Sequence, residues 1–343
     1  MNGPSATPQP LLSVRDLKVE FSTSAGRVRA VDGVSLDVHA GKTLAILGES
    51  GSGKSVTALS LMGLVPKPAG QIKGGSIEYE GVDLVQQSAE YVRKLRGEQM
   101  AMVFQDPLSS LNPVFRVGYQ IGEAARRHRG ASRREARDLA ISLMERVGIP
   151  DARNRINDFP HQFSGGMRQR VMIAMALALD PKLLIADEPT TALDVTVQAQ
   201  ILELLADLQQ EHGMSLILIT HDLGVVADVA QDVCVMYAGR VVENGPLQEV
   251  YQRHAHPYTL GLMESIPRLD ERHDRLTPIR GVPPDLLHLP LGCSFAPRCQ
   301  LVRDHCRDEE PPLFEIPGSQ GRHRSACHFF DEVLPESEVG SDV

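Results

Sequence analysis

Tryptophan is absent from this 343-residue sequence, and aromatic residues together make up only 4% of it. Positive charge is in the minority, because 35 lysines and arginines stand against 44 aspartates and glutamates. The formal net charge of −9 argues against a general nucleic-acid-binding protein, which normally presents a basic face. No apolar run approaches the ~20 residues that span a bilayer, and the N-terminal stretch lacks the features of a secretory signal. The composition therefore predicts a soluble protein.

A glycine-rich loop lies between an apolar run, Thr43–Leu47, and an apolar helical stretch at residues 56–64. Glycines allow backbone angles that let several N–H groups converge on phosphates, and the following helix adds its positive N-terminal end. In such a loop the lysine reaches the β- and γ-phosphates, and the serine after it binds Mg²⁺. The loop residues are Gly48, Glu49, Ser50, Gly51, Ser52, Gly53, Lys54 and Ser55. The loop predicts a nucleotide site.

Two carboxylates, Asp187 and Glu188, close another apolar run at residues 183–186. Ligands of open α/β sheets bind at the carboxyl ends of strands, so Asp187 is predicted to bind Mg²⁺. Glu188 lies one residue further round the strand end, and we expect it to orient or deprotonate the attacking water. His221 and Gln105 also follow apolar runs. We expect His221 to contact the γ-phosphate or the water–Glu188 pair, and Gln105 to complete the Mg²⁺ shell.

A second, separate contact for phosphate is predicted at Ser164, Gly165 and Gly166. A serine followed by two glycines can cap a helix whose N-terminus points at an anion. This segment is separate from the glycine-rich loop. Together with the carboxylate pair, it predicts ATP hydrolysis coupled to closure of a dimer.

These motifs, in this order, resemble the ATP-binding subunit of an ABC transporter, and the resemblance covers roughly residues 11–258. It implies an α/β P-loop NTPase cassette with a RecA-like core, an antiparallel β subdomain and a helical subdomain inserted at about residues 106–171. It further implies that two cassettes pair head to tail, so that Ser164 of one closes on the ATP bound to the other. Asp194 belongs to a further family loop and is expected to contact ATP.

Two features depart from the usual family pattern. The family's signature sequence corresponds to residues 163–169 here. It begins with Phe163 where leucine is commoner and has Met167 where glutamine is commoner, although its phosphate-contacting residues, 164–166, are intact. The family usually stacks adenine on an aromatic residue ahead of the glycine-rich loop. Here only Phe21 is available, and a place in the core explains it equally well.

The last third of the chain resembles the C-terminal extension of oligopeptide and dipeptide importer ATPases. We expect this extension at residues 259–330, between the cassette and a disordered acidic tail at residues 331–343, with residues 1–10 as a flexible leader. The resemblance implies a peripheral protein at the cytoplasmic face of the inner membrane. Its implied partners are two permease subunits, a sibling ATPase or a second copy of this chain, and an extracytoplasmic peptide-binding protein, with no nucleic acid. Nickel, glutathione or opine-like cargo is the alternative to peptides, and a soluble non-transport ABC ATPase or an inactive scaffold is the alternative outside transport.

Four of the five cysteines lie in this extension, and clustered cysteines in a cytosolic protein indicate metal rather than disulfides. Their spacing is neither that of a zinc ribbon nor that of the bacterial ferredoxin run. A structural [4Fe–4S] cluster, a zinc ion and free thiols remain as alternatives, and the resemblance favours the cluster. The four are Cys293, Cys299, Cys306 and Cys327. We expect His323 and His328 to be surface residues and Cys234 to be a buried core residue.

Overall fold

The computed structural model describes residues 9–191, 193–224, 226–265 and 279–335. Its strands are β1 (Leu12–Thr23), β2 (Gly26–Val38), β3 (Thr43–Leu47), β4 (Gly70–Tyr79), β5 (Val82–Asp83), β6 (Met100–Val103), β7 (Leu183–Asp187), β8 (Ser215–Thr220), β9 (Asp232–Tyr237), β10 (Arg240–Pro246), β11 (Phe314–Glu315) and β12 (Arg324–Ser325). Its α-helices are α1 (Lys54–Leu61), α2 (Ala89–Glu98), α3 (Pro107–Ser110), α4 (Val117–His128), α5 (Arg133–Arg146), α6 (Ala152–Arg155), α7 (Gly165–Ala176), α8 (Val195–His212), α9 (Leu247–Gln252), α10 (Pro257–Glu264) and α11 (Asp304–Asp308). Most of the expected leader and tail, residues 1–8 and 336–343, lies outside the described residues.

The described residues pack into two compact units. The first unit comprises residues 39–42 and 86–219, and the second comprises residues 9–38, 43–85 and the described part of 220–335. No helix in these described ranges is long and apolar enough to cross a membrane. The domain boundaries expected from the sequence stay predictions.

The first unit is built on parallel strands. Strand β7 lies between β6 and β8, with Val103 opposite Ala186 and Asp187 opposite Ile219. Every residue of β7 and β8 is buried, as expected for near-continuous apolar strands covered on both faces. The described chain between β6 and β7 forms helices without a strand, and α4, α5 and α7 pack together there. The carboxyl ends of β6 and β7 therefore meet at one edge of the sheet.

The second unit contains two sheet regions. Strands β2, β1, β4 and β5 form an antiparallel sheet in that order. Strand β3 pairs in parallel with β9, with Leu47 opposite Val235, and β9 turns back into the antiparallel β10. The core beside β3 and β9 is closed by Tyr258 from α10 and by Phe295. This packing fixes the end of β3, where the glycine-rich loop begins.

The extension adds strands that the sequence pattern did not indicate. Strand β12 pairs with β10, placing Ser325 opposite Glu243, and β11 pairs with β12. The surface expectation for His323 was wrong: its side chain is fully buried, and its Nε2 lies 2.8 Å from Glu243 Oε1. The same carboxylate accepts hydrogen bonds from the N–H groups of Ala255 (2.7 Å) and His256 (3.1 Å). A buried carboxylate needs several donors, and the pairing of β12 with β10 supplies one of them.

Candidate functional site

Glycine is required at two positions of the glycine-rich loop. A Cβ at Gly48, where φ is 149°, would lie 2.3 Å from the carbonyl oxygen of Met236. At Gly53, where φ is 101°, a Cβ would lie 2.5 Å from the carbonyl oxygen of Ala30. Both distances are far inside van der Waals contact, so the loop holds its shape only because these residues have no side chain.

Lys54 begins α1 and is almost completely buried. Its Nζ donates to the carbonyl oxygens of Gly48 at 2.6 Å and Glu49 at 2.9 Å. The ammonium group is thereby folded onto the loop, and the N-terminus of α1 follows immediately. This arrangement combines a cation with a helix end, as an anion site requires.

Gln105 and Glu188 are brought together at the edge of the sheet in the first unit. The Gln105 Nε2 group donates to Glu188 Oε2 at 2.9 Å, and Thr191 Oγ1 donates to the same oxygen at 2.9 Å. The Glu188 backbone has φ of 45°, in the left-handed region that non-glycine residues seldom adopt. Its N–H donates to the carbonyl oxygen of Ile219 at 2.9 Å, which anchors this turn to β8. A strained backbone at a strand end, held by neighbouring bonds, is a common feature of functional sites.

The other predicted strand-end residues lie where the sequence placed them. Asp187 is the last residue of β7 and is 5% exposed. His221 directly follows β8 and is exposed. The glycine-rich loop and His221 belong to the second unit, whereas Gln105, Asp187 and Glu188 belong to the first.

The expected helix cap at Ser164 is confirmed. Ser164 Oγ accepts a hydrogen bond from the Met167 N–H at 3.3 Å, and α7 begins at Gly165. A Cβ at Gly166 would lie 2.7 Å from Val197 Cγ1, so this position is restricted to glycine by packing. Ser164 and Gly165 are exposed, which leaves the N-terminal end of this helix open to solvent.

Asp194, predicted from the resemblance to contact ATP, also caps a helix. Its Oδ1 accepts a hydrogen bond from the Val197 N–H at 2.9 Å at the start of α8. Phe21, the weak candidate for adenine stacking, lies in β1 opposite Gly70. A Cβ at Gly70 would be 2.7 Å from the Phe21 ring, so this ring has a packing role against the neighbouring strand.

The cysteines of the extension converge. All five cysteines of the chain are free thiols, and four of them line one small, mainly apolar cavity together with His256: Cys293, Cys299, Cys306 and Cys327. Burial raises the pKa of the Cys293 thiol to about 11 and that of Cys327 to about 12. Within the described residues, no group of three or more His, Cys, Asp or Glu side chains could hold a single metal ion. Cys234 is buried in β9, as expected.

One set of contacts on the glycine-rich loop was not anticipated. The guanidinium of Arg298, from the extension, forms a two-pronged ion pair with Glu49, and Tyr258 Oη accepts a hydrogen bond from the Glu49 N–H at 2.7 Å. The sequence carries no signal for either contact, because a loop residue and residues more than two hundred positions away share no local pattern.

Two family models match this chain: the ABC transporter model over residues 31–191 and the C-terminal region of oligopeptide/dipeptide transporters over residues 242–306. The oligopeptide transport ATP-binding protein OppD of Bacillus subtilis is 53% identical over 307 residues, covering 89% of this chain and 86% of that protein. The dipeptide transport ATP-binding protein DppD of Haemophilus influenzae is 47% identical over 333 residues, covering 97% and 98%. A dimeric ATP-binding cassette, solved in a post-hydrolysis state with ADP and Pi, matches with a TM-score of 0.62 at 27% identity, covering 69% of this chain and 98% of that one.

Proposed function

The chain belongs to the ABC transporter family, among the ATP-binding subunits of oligopeptide and dipeptide importers, and from that premise we propose that it hydrolyses ATP to power peptide import. The observation that carries the peptide assignment is the match of residues 242–306 to the C-terminal region of oligopeptide/dipeptide transporters. The cassette alone does not distinguish cargoes, because the ATPase never touches the transported molecule.

In the proposed site Lys54 binds the β- and γ-phosphates, and the N–H groups of the glycine-rich loop surround them. Ser55, Gln105 and Asp187 are the residues that would bind Mg²⁺. Hydroxyl, amide and carboxylate oxygens suit this hard cation. When bound, Mg²⁺ neutralises charge that develops on the phosphate oxygens.

We assign water activation to Glu188 and its connection to the γ-phosphate to His221. A general base must be held within hydrogen-bond reach of its proton, and two donors on Glu188 Oε2 support such positioning. Glu188→Gln should bind ATP as the native chain does while hydrolysis falls by a factor on the order of a thousand. Normal turnover in that variant would show that another residue is the base.

The open helix end at Ser164 supports a contact with ATP bound to a second cassette, with Asp194 near the same interface. A mixture of Lys54→Ala and Ser164→Ala subunits tests this arrangement. If Ser164 of one subunit contacts the ATP bound to the glycine-rich loop of the other, each mixed pair contains one site in which both parts are intact. Activity should then return in the mixture, although neither variant is active alone. An inactive mixture would indicate that the second cassette is a sibling subunit or that Ser164 acts on its own ATP.

An exposed apolar patch after Gln105 supports docking to membrane permeases. Leu108 and Val114 are 66% and 72% exposed, and the nearby chain adds Phe115 and Tyr119, which are exposed and form a tilted ring pair with centres 5.2 Å apart. Exposed apolar residues gathered in one short segment mark an interaction surface. The proposed assembly has two permease subunits, a cassette dimer and an extracytoplasmic peptide-binding protein, with this chain at the cytoplasmic face of the inner membrane.

We also propose that the four extension cysteines hold a structural [4Fe–4S] cluster. The four thiols line one apolar cavity, and cysteine thiolates are the usual ligands of such a cluster. The cluster would bridge segments with little core of their own. Purification without oxygen should give iron and a broad absorbance near about 400 nm; a protein with neither would contradict the proposal and leave free thiols.

The cargo is tested by uptake of labelled dipeptides and oligopeptides in cells whose only copy of this chain carries Glu188→Gln, with nickel and glutathione uptake measured alongside. Loss of peptide uptake alone would support the peptide assignment. Loss of nickel or glutathione uptake instead would support the same transport mechanism with that compound as the cargo in place of peptides. Intact uptake of all of them would point to a non-transport ATPase.

A further inference from the structure

The glycine-rich loop contains an acidic residue where anions are expected to bind. Among residues 48–55, Glu49 is the only carboxylate and Lys54 the only cation. An unpaired carboxylate beside the phosphates would repel their negative charge and weaken binding. A loop that binds ATP therefore needs a means of neutralising Glu49.

Arg298 supplies the opposite charge. Its Nη1 lies 2.5 Å from Glu49 Oε2, and its Nη2 lies 3.0 Å from Oε1, so each terminal nitrogen of the guanidinium donates to one carboxylate oxygen. The Arg298 side chain is 4% exposed, and that of Glu49 is 27% exposed. Such a shielded, two-pronged pair fixes geometry as well as charge, unlike a single contact at the surface.

The arginine is itself held in place by the second unit. It ends a short turn, Ala296–Arg298, and its Nε donates to the carbonyl oxygen of Arg280 at 2.9 Å. Its Nη1 also donates to Tyr237 Oη at 3.3 Å, and the guanidinium lies 5.9 Å from the Phe295 ring centre. These contacts fix the position of the guanidinium, so little conformational freedom is lost when it pairs with Glu49.

A residue just before the extension, in the same family-matched region 242–306, touches the same loop residue. Tyr258 Oη accepts from the Glu49 N–H, and Lys54 Nζ donates to the Glu49 carbonyl oxygen. Side chain, N–H and carbonyl of Glu49 are thus all engaged, two of them by residues from the region matched to the peptide-transporter C-terminal family. The loop's shape and charge depend on this region.

We propose that Arg298 is a positioning residue of the ATP site, through which the C-terminal extension sets the affinity of the glycine-rich loop for ATP. It acts by neutralising Glu49 and holding it away from the phosphates. The inference rests on the proposed ATP-binding function. The turn that carries Arg298 is followed directly by Cys299, so the segment that lines the cysteine cavity also reaches the nucleotide loop.

The test is a double-mutant cycle on the full-length chain, purified without oxygen. We would measure the Kd for mant-ATP with Mg²⁺, and KM and kcat for hydrolysis, in the native chain, Arg298→Ala, Glu49→Gln and the double variant. Arg298→Ala should weaken binding on the order of ten- to a hundredfold and raise KM more than it lowers kcat. The double variant should recover to within about threefold of the native Kd, because no charge is left unpaired.

A matched control uses an exposed arginine–glutamate pair, Arg303 with Glu332. Arg303 Nη2 lies 2.6 Å from both oxygens of Glu332, and both side chains are largely exposed, so Arg303→Ala should leave the Kd unchanged. If Arg298→Ala does not fold, Arg298→Lys keeps the charge with one contact, and Glu49→Gln should rescue its weaker binding in the same way.

A native Kd in Arg298→Ala, or a double variant as weak as the single one, would overturn the inference. The second result would mean that Arg298 only supports the fold of the extension. If the native chain itself bound no mant-ATP, the proposed function would fail instead, so the two failures are separable.

Discussion

Gln105 donates a hydrogen bond from Nε2 to Glu188 Oε2 across 2.9 Å, joining two residues that follow the ends of neighbouring strands. A side-chain amide has an oxygen as well as a nitrogen. While the nitrogen holds Glu188, the oxygen remains the atom suited to Mg²⁺. One residue can therefore connect the metal ligands to the base, and this contact goes beyond the sequence expectation that Gln105 serves Mg²⁺ alone.

The first prediction concerns that amide. Gln105→Ala should lower kcat by roughly ten- to a hundredfold, because Glu188 Oε2 loses a donor that orients it. Gln105→Glu should cost more, since a second carboxylate would repel Glu188 and raise its pKa. Steady-state ATPase rates at saturating ATP–Mg²⁺ measure both variants. A native rate in Gln105→Ala would contradict an orienting role for the amide.

The second prediction separates two glycines of the nucleotide loop. Gly53→Ala places a methyl group 2.5 Å from the Ala30 carbonyl oxygen, so the loop must move and ATP binding should be lost. Gly51 also has a positive φ of 81°, but a Cβ there meets nothing within 4 Å. Gly51→Ala should therefore cost only backbone strain of about 1–2 kcal/mol and keep most ATP binding.

Binding of mant-ATP and thermal unfolding, measured side by side, distinguish the two glycine variants. If both variants lost binding equally, backbone angle rather than the clash at Gly53 would explain the requirement for glycine.

Local patterns predicted the parts of the molecule that depend on neighbours in sequence. The apolar run Thr43–Leu47 is a strand at those bounds, and Ser164 caps α7, because strand burial and capping need only a few adjacent residues. The pairs Glu243–His323 and Glu49–Arg298 were missed. Their members are 80 and 249 positions apart, and only the pairing of β12 and the packing of the extension bring them together.

The third prediction tests the buried Glu243–His323 pair. His323→Ala removes one of three donors to a carboxylate that has no access to water, and should lower the free energy of unfolding by roughly 3 kcal/mol. Urea unfolding of the purified chain measures the loss. His288→Ala is the matched control, because His288 contacts Asp285 at the same 2.8 Å but on the surface. The control should change stability by less than about 0.5 kcal/mol.

A loss of similar size in both variants would show that burial adds nothing to the Glu243 contact. A loss confined to His323→Ala would establish that the extension is fixed to β10 through this carboxylate.

The fourth prediction follows from His256, which is fully buried between Phe295 and α10. Burial lowers the pKa of its imidazole to about 3, although a backbone hydrogen bond with Ala326 acts in the opposite direction. Its Nδ1 accepts the Tyr258 N–H at 3.0 Å, which also requires the unprotonated nitrogen. The folded chain therefore keeps this histidine neutral at pH values where the unfolded chain protonates it.

In the unfolded chain, His256 binds a proton below its ordinary pKa of about 6.5. The free energy of unfolding must therefore fall as the pH is lowered from about 6.5 towards about 3. Between pH 6.5 and pH 5 this one group should remove about 2 kcal/mol from the free energy of unfolding. His256→Asn keeps an acceptor for the Tyr258 N–H and cannot titrate. Urea unfolding at the two pH values should therefore show a fall in the free energy of unfolding that is smaller in the variant by that amount. The contributions of the carboxylates and of the other histidines cancel in the comparison. An equal drop in both proteins would mean that His256 is already protonated in the folded chain, and that burial does not hold it neutral.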